Sequence, residues 1–161
     1  MALNPYASLV DGHEPLAMIA ATTGKLKAVV QAIGPAGLEK SPAPRKWAPR
    51  EILCHLADTE LAFGFRMRQA IAETNHVVQP FDQDAWAKPY TAIPAQAALD
   101  AFAALRAWNL AWLATVPPEA YSKPVSHPER GAMTFGTLVE IMAGHDVNHL
   151  RQLEALAART K

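Results

Sequence analysis

The chain has 161 residues, half of them hydrophobic, and its 15 basic and 15 acidic side chains cancel to a formal net charge of zero. That length suits a single domain over residues 1–161, whose core buries roughly 70% of the extended chain's surface. The balance excludes long disorder and supplies no global field that would favour nucleic acid or an anionic membrane.

One cysteine is present, Cys54, so no intrachain disulfide can form, and a buried packing role in a reducing compartment is expected for it. No basic segment followed by an apolar run opens the sequence, and no stretch approaches the ~20 apolar residues of a bilayer span. A cytoplasmic location follows as the expectation, with neither a membrane nor a nucleic acid as partner.

Residues 11–33 read as a first helix, with Leu16, Ile19, Thr23, Leu26, Val30 and Ile33 on one stripe. Asp11 is a candidate cap, and Pro15 falls in the first turn, where its missing N–H is tolerated. Gly34 and Pro35 stop this helix. A proline-rich connection carrying Lys40, Arg45 and Lys46 follows, with Trp47 anchoring its end.

Pro49 opens a second helix over residues 49–72, where Ile52, Leu56, Phe63, Met67 and Ala70 form the apolar stripe and His55 lies at its border, able to face the core. Residues 75–93 mix Pro80, Asp82, Asp84, Trp86, Pro89 and Tyr90 without a sustained period, which predicts a long ordered crossover rather than a pair of strands. A third helix spans 94–115, with Leu99, Phe102, Leu105, Asn109, Leu110 and Leu113 in helical spacing and Trp108 and Trp112 widening the face; Val116, Pro117 and Pro118 end it. The segment 121–133 is a second long connection, and Thr134 caps a final helix over residues 135–158. With no convincing strands, the expected architecture is all-α: a four-helix bundle with long crossover connections.

The final helix carries the sharpest chemical signal. His145 and His149 are four residues apart, so both imidazoles lie on one face, and that face also carries Leu138, Ile141, Met142, Gln152, Leu153 and Leu156. Two inward imidazoles without partners would leave polar atoms unsatisfied, and a shared metal ion would satisfy them. A third ligand must come from another helix, and His55 is the best placed. Of the remaining histidines, His13 and His76 read as surface or loop residues, whereas His127 sits in the loop that runs into the final helix and is a candidate substrate contact.

These residues resemble a known pattern. The run Trp47-Ala48-Pro49-Arg50-Glu51-Ile52-Leu53-Cys54-His55-Leu56-Ala57-Asp58-Thr59-Glu60, then Phe81-Asp82-Gln83-Asp84-Ala85-Trp86, then Gly144-His145-Asp146-Val147-Asn148-His149-Leu150 is similar to the DinB-like superfamily, in particular its YfiT-type branch. The resemblance implies a four-helix bundle in which His55, His145 and His149 bind a divalent metal, nickel or zinc. It also implies a homodimer, and an activity among thiol transferases and isomerases that use bacillithiol or mycothiol, or among metal-dependent hydrolases.

Three neutral histidines leave the ion's charge uncompensated, so a water or thiol in the open position would be acidified, and both hydrolysis and transfer of a low-molecular-weight thiol to a small electrophile are expected chemistries. Asp58, three residues after His55, is a candidate to orient a ligand or accept a proton; Glu60 and Asp146 share that reading, Asp146 less favoured by its rotation from His145, and Asp82 and Asp84 in the crossover are candidates to reach the open face. Arg66, Arg68 and Arg130 are candidates for a substrate carboxylate. The rival reading is a non-catalytic helical dimer or stress-associated binding module, with a structural metal that fixes helix packing.

Overall fold

The structure, a computed structural model, describes residues 3–159. Four long helices dominate it: α2 (Pro15–Leu38), α3 (Pro49–Ala72), α5 (Ala95–Leu113) and α6 (Phe135–Ala158), with the short α1 (Ala7–Val10) ahead of α2 and the short α4 (Gln83–Ala87) on the connection between α3 and α5. α2 packs against α6 and α5, and α3 packs against the same two, so α2 and α3 occupy one diagonal of a four-helix bundle.

The helix ends follow local chemistry. Glu14, not Asp11, caps α2, its carboxylate accepting the Ala17 N–H at 2.7 Å, and Pro15 takes the first helical position. Gly34 breaks α2 at φ 71°, as its place before Pro35 predicts, and one further turn then runs to Leu38. The Glu51 carboxylate turns back to the Ala48 N–H at the start of α3. Thr134 caps α6 through the Thr137 N–H at 3.2 Å.

Three expectations are corrected by packing. Thr22 and Val29, not Thr23 and Val30, are the buried members of the α2 stripe, because Thr22 reaches a polar partner on α6. Trp108 is exposed on α5, and Arg106 takes the inward position. The second connection is not irregular: β2 (Pro124–His127) and β3 (Gly131–Thr134) form an antiparallel hairpin, and β1 (His76–Val77) joins β2 in parallel. Gly131 closes the hairpin at φ 88°, a conformation that disfavours side chains. Strands of two to four residues are too short to show alternation, so periodicity could not reveal them.

By length and mean hydropathy (1.3 over its best window), α2 also meets the requirement for a membrane span, contrary to the sequence expectation. Lys25 and Lys27 lie exposed on the outer face of this helix, while Ile19, Leu26 and Ile33 pack into the bundle.

The core is in two halves. One gathers Ile19, Phe63, Met67, Phe135, Leu138 and Met142 beneath the sheet; the other gathers Leu26, Leu53, Leu56, Phe102, Leu150 and Leu153. Along each long helix the residues between the halves are polar: Thr22 on α2, Glu60 on α3, Arg106 and Asn109 on α5, Asp146 on α6. Arg106 donates to Glu60 Oε2 at 2.6 and 3.0 Å, to Asp146 Oδ2 at 2.6 Å and to the Ile19 carbonyl at 2.7 Å. Thr22 donates to Asp146 Oδ2 at 2.8 Å, and Asn109 donates to Glu60 Oε1 at 2.8 Å. One guanidinium therefore ties all four helices at mid-height, and the inward face of α6 that carries His145 and His149 begins at the same level.

Candidate metal centre

His55 projects from α3, and His145 and His149 project from the inward face of α6, where their spacing of four stacks them one turn apart. All three are buried, at 2, 8 and 7% exposure. The Nε2 atoms of His55 and His145 are 3.0 Å apart, and one ligating atom from each of the three histidines lies within 4.8 Å of the others. Two nitrogens bound to one ion at about 2.0–2.1 Å are themselves roughly 3.0–3.4 Å apart, so the closest pair already has the separation of co-ligands.

Protonation favours the same use. Burial, assisted by the neighbouring His149, pulls His55 down to about 3, and burial also holds His145 far below and His149 below the ordinary imidazole value. The rings are therefore neutral near pH 7 and keep lone pairs. His149 Nδ1 lies 3.0 Å from Gln152 Oε1. An amide oxygen only accepts, so the ring proton sits on Nδ1 and the Nε2 lone pair is left for an ion. The His55 Nδ1 atom is buried without a hydrogen-bond partner among the described residues, and Trp47 packs on that ring at 4.9 Å between centroids.

Two expected outcomes follow. Gln152→Ala should leave the fold intact, because Gln152 is exposed, yet weaken metal binding by about 10–100-fold in a chelator-competition titration. In metal-free protein, depressed histidine pKa values mean that the unfolded chain binds more protons below about pH 6.5. Stability should therefore be full above that pH and fall as pH drops through the window down to about 3 set by His55, which denaturant melts at successive pH values will read. A midpoint flat from pH 7 to 5 would contradict neutral burial.

The cluster opens on a cavity of about 340 Å³. α3 contributes Thr59, Phe63 and Arg66 to its wall, the hairpin contributes His127 and Arg130, and the first crossover contributes Val78, Phe81 and Gln83. Tyr6 closes it from the N-terminal side, edge-on to His145 at 5.8 Å. Tyr6 can lie so close only because residue 144 is glycine: a Cβ there would stand 2.3 Å from the Tyr6 Cβ.

The structure separates the other candidates. His127 lines the cavity; its Nδ1 accepts the Glu129 N–H at 3.2 Å, which leaves the ring proton on Nε2. Asp58 is not among the lining residues, and its carboxylate accepts the Tyr90 hydroxyl at 2.7 Å. Arg66 and Arg130 line the cavity, whereas Arg68 donates to Asn109 and packs on Trp112 outside it. Asp82 caps α4 through the Ala85 N–H, the turn-forming role. Glu60 and Asp146 belong to the Arg106 network. His13 is exposed, but His76, read as a surface residue, is buried against Glu73 with its Nδ1 2.6 Å from the carboxylate. Cys54 is buried, and burial raises its thiol to about 11, so it is packing rather than a nucleophile.

The family model for the DinB superfamily matches residues 18–153, which include all three histidines. The chain belongs to the DinB superfamily. Within this superfamily it is 31% identical over 114 residues to a protein of Oceanobacillus iheyensis named "Putative metal-dependent hydrolase OB0782", a match covering 70% of this chain and 66% of that one, just under two thirds. A second protein of the same organism, "Putative metal-dependent hydrolase OB0413", is 24% identical over 148 residues, 91% of this chain and 86% of its own. Among solved structures, YfiT from Bacillus subtilis, described as having "an unusual four-helix bundle topology", superposes with a TM-score of 0.82 at 20% identity over 90% of this chain and 85% of its own, a likeness of fold.

Two features of this DinB-superfamily site escaped the sequence reading. Gln152 shares the apolar face by periodicity, and its spacing of three from His149 is the one sequence signal of its role toward that ring. Tyr6 lies outside every predicted helix, and nothing local connects it to residue 144.

Proposed function

We propose that this protein is a metal-dependent hydrolase of a small electrophilic substrate. The observation that carries the reading is a cluster of three buried neutral histidines, joined by no carboxylate or thiol among the described residues, that opens directly on a cavity. Structural zinc sites close with four protein ligands, whereas catalytic ones keep three and a free position. The relatives' names support the same choice. A divalent ion held by His55, His145 and His149, zinc or nickel, would supply the charge that acidifies a neighbouring water or thiol.

The chain's own residues do the rest. Among the described residues no Asp or Glu lines the cavity, so proton movement falls to His127 and Tyr6. Burial, with Arg130 and Arg66 nearby, lowers His127 and keeps it neutral, with an Nε2–H to give to a developing negative oxygen. Burial raises the Tyr6 hydroxyl, which stays protonated as a second donor. Phe63, Phe81 and Ile141 supply apolar wall that limits water.

A second reading, transfer of a low-molecular-weight thiol to the electrophile, has its own support. A neighbouring cavity of about 730 Å³ shares His149 and Gln83 with the first and is bordered by Arg45, Lys46 and Arg159, room and charge for an anionic cosubstrate. A homodimer in the cytoplasm completes the proposal, and exposed Leu61, Phe65 and Trp108 on α3 and α5 support the dimer; sedimentation velocity tests it.

The deciding experiment incubates metal-loaded protein with activated esters and with chlorodinitrobenzene, with and without low-molecular-weight thiols, and identifies products by mass spectrometry. Thiol-independent hydrolysis supports the first reading, and an S-conjugate the second. Turnover no greater than a His149→Ala control, with chelation still lowering the melting temperature, would instead favour a non-catalytic module with a structural metal.

A further inference from the structure

Two histidines of the cluster are supported in different ways. His149 has the Gln152 amide oxygen 3.0 Å from its Nδ1. His55 turns its Nε2 toward His145, and its buried Nδ1 meets no hydrogen-bond partner among the described residues. A histidine that binds an ion through one nitrogen ordinarily donates the other N–H to an acceptor, which fixes the ring and raises its basicity. What packs on the His55 ring instead is the Trp47 indole, 4.9 Å away between centroids and tilted by 46°.

That indole is itself held on both sides along the chain. Before it, Ser41 Oγ lies 2.6 Å from the Ala43 carbonyl and 2.5 Å from that of Lys46, and the Lys46 N–H donates to the Ala43 carbonyl at 3.1 Å. After it, the Glu51 carboxylate accepts the Ala48 N–H at 2.8 Å, and the buried Tyr90 ring meets the indole at 6.0 Å. Trp47 lines the second cavity and His55 the first, so the indole stands between that second cavity and the histidine. Its electronics suit the place. An imidazole bound to a divalent ion takes up part of the positive charge, and an indole face, the most negative of the aromatic faces, attracts a cation within about 6 Å of its centroid. A neutral, ion-free imidazole feels little of this attraction, so the contact favours the bound state.

We propose that Trp47 is a positioning residue for the metal, orienting the His55 ring and stabilising its ion-bound form in place of an outer hydrogen bond. The assignment rests on the reading that the three histidines hold an ion, and it is tested by affinity rather than by turnover.

The test measures zinc affinity by chelator competition. Trp47→Leu should bind zinc about tenfold more weakly than wild type, whereas Trp47→Phe, which restores an aromatic face, should stay within about threefold of it. Thermal melts of the two metal-free variants should agree, since a merely structural role would lower both affinities together. A second measurement needs no substitution: protein biosynthesised with mono-, di- and trifluorinated tryptophan. Of the four tryptophans, only Trp47 has a ring contact with the cluster among the described residues, so zinc affinity should fall stepwise as fluorine withdraws charge from the indole face. A Trp47→Leu protein with wild-type affinity, equal losses in Trp47→Leu and Trp47→Phe, or an affinity indifferent to fluorination would each overturn the proposal. Wild-type protein that binds no zinc would overturn it together with the metal reading, while Trp47-dependent binding without turnover would sink the hydrolase reading alone.

Discussion

Arg106→Leu should destabilise the fold by about 3–5 kcal/mol, because it leaves two buried carboxylates facing each other without their shared cation. Glu60 is 2% and Asp146 3% exposed, so water cannot replace the lost donors. In the native protein, burial alone would lower the Arg106 guanidinium, yet Asp146 and Glu60 hold it above its ordinary value and therefore fully charged. Burial already pushes the Glu60 carboxyl up against the pull of Arg106. Without that pull its folded pKa rises further above the unfolded value, so the variant binds more protons folded than unfolded. Glu60 thus acts in the sense opposite to the histidines, and the stability lost relative to the wild type, melted alongside, should shrink as pH falls toward 5. Urea melts of Arg106→Leu at pH 7.5 and 5 measure both quantities; a loss under about 1 kcal/mol at pH 7.5 would show that the network contributes little.

His149→Ala should lower metal affinity by more than the roughly 10–100-fold that changes at supporting residues cause, since it removes one of three ligands outright. Stoichiometry measured by elemental analysis should fall from one ion per chain toward zero. Linkage gives an independent reading: at free metal 100-fold above Kd, binding stabilises the wild-type fold by about 2.7 kcal/mol, and chelation should remove it. The variant's melt should not respond to chelator. Wild-type protein with no bound metal, or a variant retaining it at full affinity, would place the ligands elsewhere.

The bundle was legible in the sequence because each long helix repeats its apolar residues at steps of three and four, and a turn of helix is a local object. Ile52, Leu56, Phe63 and Met67 are all buried as their spacing requires, and the stops at Gly34 and after Leu113 use backbone chemistry that acts within a few residues. The two histidines of α6 were legible for the same reason. The DinB-superfamily pattern then joined them to His55. What spacing could not show was which polar residue on a mixed face turns inward. Trp108 looked more buried than Arg106, and only the presence of Glu60 and Asp146 from two other helices makes the reverse favourable.

The chain alone therefore determined the helices, their stops, and three imidazoles able to meet. Tertiary structure decided how those imidazoles are used. It laid Tyr6 across Gly144, folded a hairpin that carries His127 and Arg130 over the cavity, and turned Asp58 toward Tyr90. The division has one physical cause. Helical periodicity depends on neighbours within a few residues, whereas burial of the Arg106 charge depends on partners that sequence separates by 40 to 87 positions.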